Sequence, residues 1–171
     1  MIHLNIGSNL ESKFGGRVEN ISTAINLLID SKLKVNKISN FYKTPSYPDK
    51  KRPYFLNVGV LVNYPYNEQS LLEKIKVIEN NIGRTRLQKN EPRVCDIDII
   101  DFNGLKIDKG NLKLPHEKSH LRNFVLYPIL QIDPDWVHPI IKKNVKDLIN
   151  NLDQTSRIEI TRLNKNVIIK S

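Results

Sequence analysis

Apolar residues along this chain change period, and each change restricts what the segment can become. Ile2, Leu4 and Ile6 alternate with polar neighbours before Gly7-Ser8-Asn9, so the opening reads as a strand running into a turn. Residues 17–29 carry apolar side chains at 18, 21, 24, 25 and 28, one face of a helix. Residues 34–42 alternate again and break at Thr44-Pro45 and Pro48, and 55–63 alternate after that proline-containing loop. A second helical face, Leu71, Leu72, Ile75, Ile78 and Ile82, fills 67–82 and stops at Gly83. Period two returns over 93–100. The order β-α-β-β-α-β predicts an α+β fold of ferredoxin-like kind, an antiparallel sheet flanked by helices in three αβα layers.

Beyond residue 100 the signals are shorter. Asn103-Gly104 predicts a tight turn into 105–107, residues 121–131 a short helix interrupted by Pro128, 145–152 another, and 157–169 two short strands. A chain of 171 residues is long enough to bury a core as one domain over 1–171 without staples. Its longest apolar runs, 24–29 and 58–62, are too short to span a bilayer, and no basic region followed by an apolar stretch opens the sequence. The single Cys95 excludes an intramolecular disulfide and fits a reducing compartment. The expected protein is cytoplasmic, without membrane association, and a monomer.

The strand at 93–100 carries the chemistry. Residues two apart in a strand share a face, so Asp96 and Asp98 point the same way, and Cys95 points into the opposite, core side. Two carboxylates that close repel unless a cation compensates, and a hard divalent ion such as Mg²⁺ takes one or two carboxylates plus substrate phosphates. Arg93, with Arg84, Arg86 and Lys89 upstream, adds positive charge where phosphates would lie. The net charge of +9 also asks for anionic partners, either nucleic acid or a phosphorylated small molecule.

Other chemistries compete for the same sequence. No G-x-x-x-x-G-K-[ST] occurs and no G-x-G-x-x-G follows a strand, so a nucleotide would have to be held by side chains and metal. His116-Glu117-Lys118-Ser119-His120 matches the H-E-x-x-H zinc pattern, but Pro115 directly before it places the motif at or before a helix start. Phe41, Tyr42, Tyr47, Tyr54 and Phe55 interleave with Lys43, Lys50, Lys51 and Arg52 as a nucleic-acid surface would, yet no nucleic-acid-binding signature accompanies them.

Several segments, in order, carry a resemblance: Gly7-Ser8-Asn9-Leu10, Tyr42-Lys43-Thr44-Pro45, Phe55-Leu56-Asn57, Pro92-Arg93-x-x-Asp96-Ile97-Asp98, and Pro115-His116 followed by Arg122-x-Phe124-Val125-Leu126-x-Pro128. Over about residues 2–152 the chain resembles the 6-hydroxymethyl-7,8-dihydropterin pyrophosphokinases of folate biosynthesis, leaving 153–171 as a short C-terminal extension. The resemblance implies transfer of the β,γ-diphosphate of ATP to the pterin hydroxymethyl group, with release of AMP and no nucleic-acid partner. It implies that Asp96 and Asp98 bind two Mg²⁺ ions, and that Arg86, Lys89, Arg93, His116 and Arg122 contact ATP, with Ile99 near the adenine. Arg86, Arg93, Asp96 and Asp98 would be the catalytic set. Thr44, Pro45, Tyr47, Asn57 and Asp96 would line the pterin pocket, between Phe55 and Phe124, and the basic loop 84–92 would act as a lid. The chain departs from the family's habit at Asn90 and Glu91, at Lys76 and at Ser119.

Overall fold

The computed structural model describes residues 1–83 and 93–171. β1 (Ile2–Ser8) turns into α1 (Arg17–Asp30); β2 (Lys34–Ile38), β3 (Tyr42–Thr44) and β4 (Phe55–Asn63) follow, and α2 (Glu68–Ile82) precedes β5 (Asp96–Phe102). Next come the hairpin β6 (Ile107–Lys109) and β7 (Leu112–Leu114) and a 3-10 turn at Ser119–Leu121. The chain finishes with α3 (Asn123–Ile132), α4 (Val145–Asn150), α5 (Gln154–Ile158) and β8 (Thr161–Arg162).

Among the described residues the main sheet runs β5-β1-β4-β3-β8, with β2 beside β3 on the same edge of β4, and each pairing is antiparallel. With β2 and β3 taken as one broken strand, this is the expected β-α-β-β-α-β arrangement. The break itself departs from the continuous alternation read over 34–42. Ser39 causes it: its backbone N–H bonds the Gly59 carbonyl and its Oγ accepts the Gly59 N–H, each at 2.9 Å, so a side chain replaces the ladder there.

Alternation on β1, β4 and β5 sorts side chains between two layers. Ile2, Leu4 and Ile6, Val58, Val60 and Val62, and Ile97 and Ile99 enter a core under α1 and α2, together with Cys95. Ile100 alone of β5 joins the second apolar cluster, made with Val125, Leu126 and Ile129 of α3, Trp136, and Val145 and Leu148 of α4. The three αβα layers follow from these two cores. α2 starts on the Asn67 side chain, which accepts the Ser70 N–H at 2.9 Å, and ends on Gly83 at φ 116°, a left-handed position that glycine adopts without strain.

α3 can lie on the second face because Gly59 leaves a notch: a Cβ there would stand 2.8 Å from the Cβ of Pro128. Pro128 does not interrupt α3, contrary to the sequence expectation. The N–H it lacks would have bonded the Phe124 carbonyl. Asn5, its amide nitrogen turned that way, donates instead to Phe124 O at 3.0 Å and to Val58 O at 3.2 Å. The two strands expected in 157–169 are replaced by α5 and the two-residue β8, which pairs with β3. The remaining tail docks on α1, where Ser22 and Asn26 bond the backbone of Ile168 and Lys170 at 3.0–3.1 Å.

Candidate active site

Where α3 stops covering the sheet, β1, β4 and β5 floor a cleft of about 490 Å³. One end of it is acidic and basic. In the sheet register Asp96 lies opposite Gly7 and Asp98 opposite Asn5, so no large neighbour covers either carboxylate. Edge strand β5 is held from its outer side by α2, whose buried Glu79 accepts the Ile97 N–H at 2.8 Å. Arg93 Nη1 donates to Asp96 Oδ2 at 2.6 Å. Asp98 has looser company, with Arg122 Nη1 at 3.7 Å and His116 Nε2 at 3.9 Å.

That difference shows in the acid–base chemistry. Burial, reinforced by the neighbouring Asp96 carboxylate, pushes the Asp98 carboxyl up to about 7. Burial and the adjacent Arg122 guanidinium lower the His116 imidazole below its ordinary value, so it meets Asp98 mainly as a neutral ring. A carboxylate that is uncomfortable charged and, among the described residues, has no cation within hydrogen-bond distance is a place for a further positive charge. Two carboxylates on one strand face suit a hard, oxygen-seeking divalent ion whose other ligands come from substrate.

The other end is aromatic and amide-lined. Phe55 at the start of β4 and Phe124 at the start of α3 are half-buried walls of the cleft. The Arg122 guanidinium lies 5.5 Å from the Phe124 ring centroid, joining the two ends. Asn57 donates from Nδ2 to Thr44 Oγ1 at 3.2 Å, which fixes its amide. Gly7 makes the room for it, since a Cβ there would stand 2.7 Å from Asn57 Oδ1. Pro45 and the exposed Tyr47 line the adjoining loop.

Thr44, Pro45, Tyr47, Phe55, Asn57, Arg93, Asp96, Asp98, His116, Arg122 and Phe124 thus line one cleft. Ile99 does not: its side chain lies in the core on the far face of the sheet, so only its backbone is left for a nucleotide. Arg86 and Lys89, with the lid reading of 84–92, lie outside the described residues. The sequence reading missed Asn5, Asn9, Leu121, Asn123 and Ser156. Asn9 accepts the Arg93 N–H at 2.6 Å and donates to Ser46 Oγ at 3.4 Å and Pro53 O at 3.3 Å, tying the arginine to the aromatic end. Its place in the Gly7-Ser8-Asn9 turn was the available signal.

Both competing chemistries lose their geometry. The H-E-x-x-H stretch forms no α-helix; His116 faces Asp98 while His120 packs edge-on against His138, ring centroids 5.7 Å apart. Among the described residues no group of three metal-ligating side chains occurs. Phe41 and Tyr42 are buried, the Tyr54 ring is approached by Arg17 at 4.2 Å and Lys43 at 4.3 Å, and Tyr47 and Phe55 line the cleft, so among the described residues these aromatics do not form one continuous surface with the lysines between them.

Residues 3–134 match the family described as 7,8-dihydro-6-hydroxymethylpterin-pyrophosphokinase (HPPK). The chain belongs to that family. A 2-amino-4-hydroxy-6-hydroxymethyldihydropteridine pyrophosphokinase of Aquifex aeolicus is 35% identical over 146 residues, covering 85% of this chain and 88% of that protein. A namesake from Synechocystis is 30% identical over 154 residues, 90% of this chain and 76% of its own length. In shape, a crystal structure of Plasmodium falciparum HPPK-DHPS with pterin and p-hydroxybenzoate superposes with a TM-score of 0.69 at 17% identity, over 94% of this chain and 46% of that one. The chain spans less than half of that longer protein, and the likeness there is one of fold. The chain is accordingly a transferase, a pyrophosphokinase of folate biosynthesis that takes diphosphate from ATP.

Proposed function

We propose that the whole transfer takes place in this one cleft, with the ATP phosphates against β5 and 6-hydroxymethyl-7,8-dihydropterin against β4. The observation that supports it is the opening of two chemically opposite ends into a single space: paired carboxylates with two arginines, and an aromatic, amide-edged slot. The pterin hydroxymethyl oxygen attacks the β-phosphorus, the bond from that phosphorus to the α-bridging oxygen breaks, AMP departs and the hydroxyl proton is lost to solvent.

Asp96 and Asp98 would hold Mg²⁺, two ions by the family resemblance, which when bound neutralises phosphate charge and polarises the phosphoryl oxygens. The protein's own part is positioning and charge. Arg93 and Arg122 stand on either side of the carboxylates and meet the phosphates, and the neutral His116 offers a hydrogen bond rather than another charge. Asn57 can donate and accept at the pterin edge, while Phe55 and Phe124 cover its faces. Arg86 and Lys89 join the phosphate contacts on the strength of the resemblance alone.

The reading includes a single domain acting as a monomer in the cytoplasm. The buried Cys95, the single cysteine of the chain, suits a reducing compartment, and no helix among the described residues is long and apolar enough to cross a membrane. A coupled AMP-release assay tests the activity: AMP forms only when ATP, Mg²⁺ and the pterin are all present. AMP release at the same rate without the pterin would contradict it.

A further inference from the structure

The segment after residue 152 falls outside the matched family region, 3–134, yet it returns to the aromatic end of the cleft. Asp153 starts α5 by accepting the Ser156 N–H at 2.8 Å and the Ser156 hydroxyl at 2.9 Å. Ser156 lines the cleft, and its carbonyl accepts from Asn123 Nδ2 at 2.7 Å, so α5 is fastened to the start of α3 next to Phe124. Immediately after α5, Glu159 grips the opposite wall: its Oε2 accepts the Tyr47 hydroxyl at 2.7 Å, and its Oε1 pairs with Lys50. Both partners sit in the loop between β3 and β4, which is tied internally by Ser46 Oγ donating to Pro53 O at 2.5 Å and by the Lys51 N–H donating to Asp49 Oδ1 at 2.9 Å.

Beyond Glu159 the chain is anchored to rigid parts of the fold. β8 pairs with β3, Leu163 N bonds Phe41 O at 2.8 Å, and Arg162 donates to Asn40 Oδ1 at 2.5 and 2.9 Å. Glu159 is therefore a fixed post between α5 and β8, and the loop bearing Tyr47 is the part that leans on it. Tyr47 keeps more than half of its surface exposed, so burial alone does not hold it over the slot. Glu159 depends on the two contacts in turn, which draw its carboxyl below the usual carboxylate range.

We propose that Glu159 is a positioning residue for the pterin: it holds the Tyr47–Lys50 loop closed against the aromatic slot, so that the C-terminal segment sets pterin affinity without touching the phosphate end. This rests on the cleft assignment above. Pre-ordering a loop lowers the cost of binding what lies beneath it and leaves distant ligands alone.

The test is steady-state AMP release by the full chain, varying pterin at saturating ATP and then ATP at saturating pterin, alongside thermal melts. Glu159→Ala raises the pterin KM by about five- to tenfold, while kcat, the ATP KM and Tm stay at wild-type values. Glu159→Gln, which still accepts from Tyr47 but loses the charge facing Lys50, gives a smaller rise in the same constant. Tyr47→Phe deletes only the hydroxyl and gives the selective rise independently, should Glu159→Ala fail to accumulate as folded protein. An unchanged pterin KM in Glu159→Ala and Tyr47→Phe overturns the proposal, and so does a parallel rise in both KM values with a lowered Tm. Asn57→Ala separates the two levels. If it raises the pterin KM while Glu159→Ala does not, the clasp is wrong and the cleft stands; if it has no effect, the cleft assignment itself is wrong.

Discussion

Toward α1 and α2, strand β5 presents Ile97 and Ile99 to a continuous apolar core; toward α3 it presents Asp96 and Asp98 to an open, charged cleft. The two faces are one residue out of phase on the same backbone. The dry face contributes burial and so rigidity, and the wet face uses that rigidity to keep two carboxylates side by side, where they repel. A carboxylate held at about 7 is a cost to the folded protein that the isoleucines beneath it offset. Function and stability should therefore separate cleanly along this strand.

The largest separation is expected on the wet face. Asp96→Ala or Asp98→Ala lowers kcat/KM for AMP release by about a thousandfold or more, with circular dichroism unchanged and Tm no lower than wild type. On the dry face the pattern inverts. Ile97→Ala destabilises by about 2–4 kcal/mol in urea unfolding, because it opens a cavity in a packed core, while the protein that remains folded keeps its pterin and ATP KM values. A change at Ile97 that altered turnover more than stability would show that the two faces of β5 do not divide stability from catalysis.

A smaller effect sharpens it within the cleft. Asn57→Ala raises the pterin KM about tenfold and leaves the ATP KM alone, since the amide reaches only the aromatic end. The smallest effect concerns pH. The folded Asp98 carboxyl is raised from an ordinary 3.8 to about 7, so between these values the folded state binds the extra proton. Its contribution is present in full below about pH 4 and is lost as pH rises through about 7. Without Mg²⁺, the Tm of Asp98→Asn relative to wild type should therefore climb across that window. A difference that stays flat or shrinks would show that Asp98 ionises as an ordinary carboxylate.

Sequence alone resolved what depends on local period. The β5 alternation placed Asp96 and Asp98 together and Cys95 in the core, and the helical spacing of 71, 75, 78 and 82 located α2. Partners distant in the chain were illegible. Asn5 is needed because Pro128, far away in α3, lacks an N–H; Glu79 is buried because the edge strand has an N–H to satisfy; Glu159 matters only because β8 returns it to Tyr47. The break at Ser39 was missed for a related reason, since a serine hydroxyl that substitutes for a ladder bond leaves the apolar alternation intact. The positions of Tyr47 and Thr44 were found through resemblance rather than period, as a short strand and a proline loop carry too few residues to show one.

We propose the Asp96–Asp98 face as the place where metal and nucleotide meet. The most direct measurement is the affinity of a non-hydrolysable ATP analogue, by calorimetry, with and without Mg²⁺ in wild type and in Asp96→Asn/Asp98→Asn. Wild type should bind far more tightly with Mg²⁺ than without, and the double variant should lose that dependence while its circular dichroism spectrum stays that of the wild type. Magnesium-dependent binding of undiminished strength in the double variant would place the metal–nucleotide site elsewhere and contradict the account.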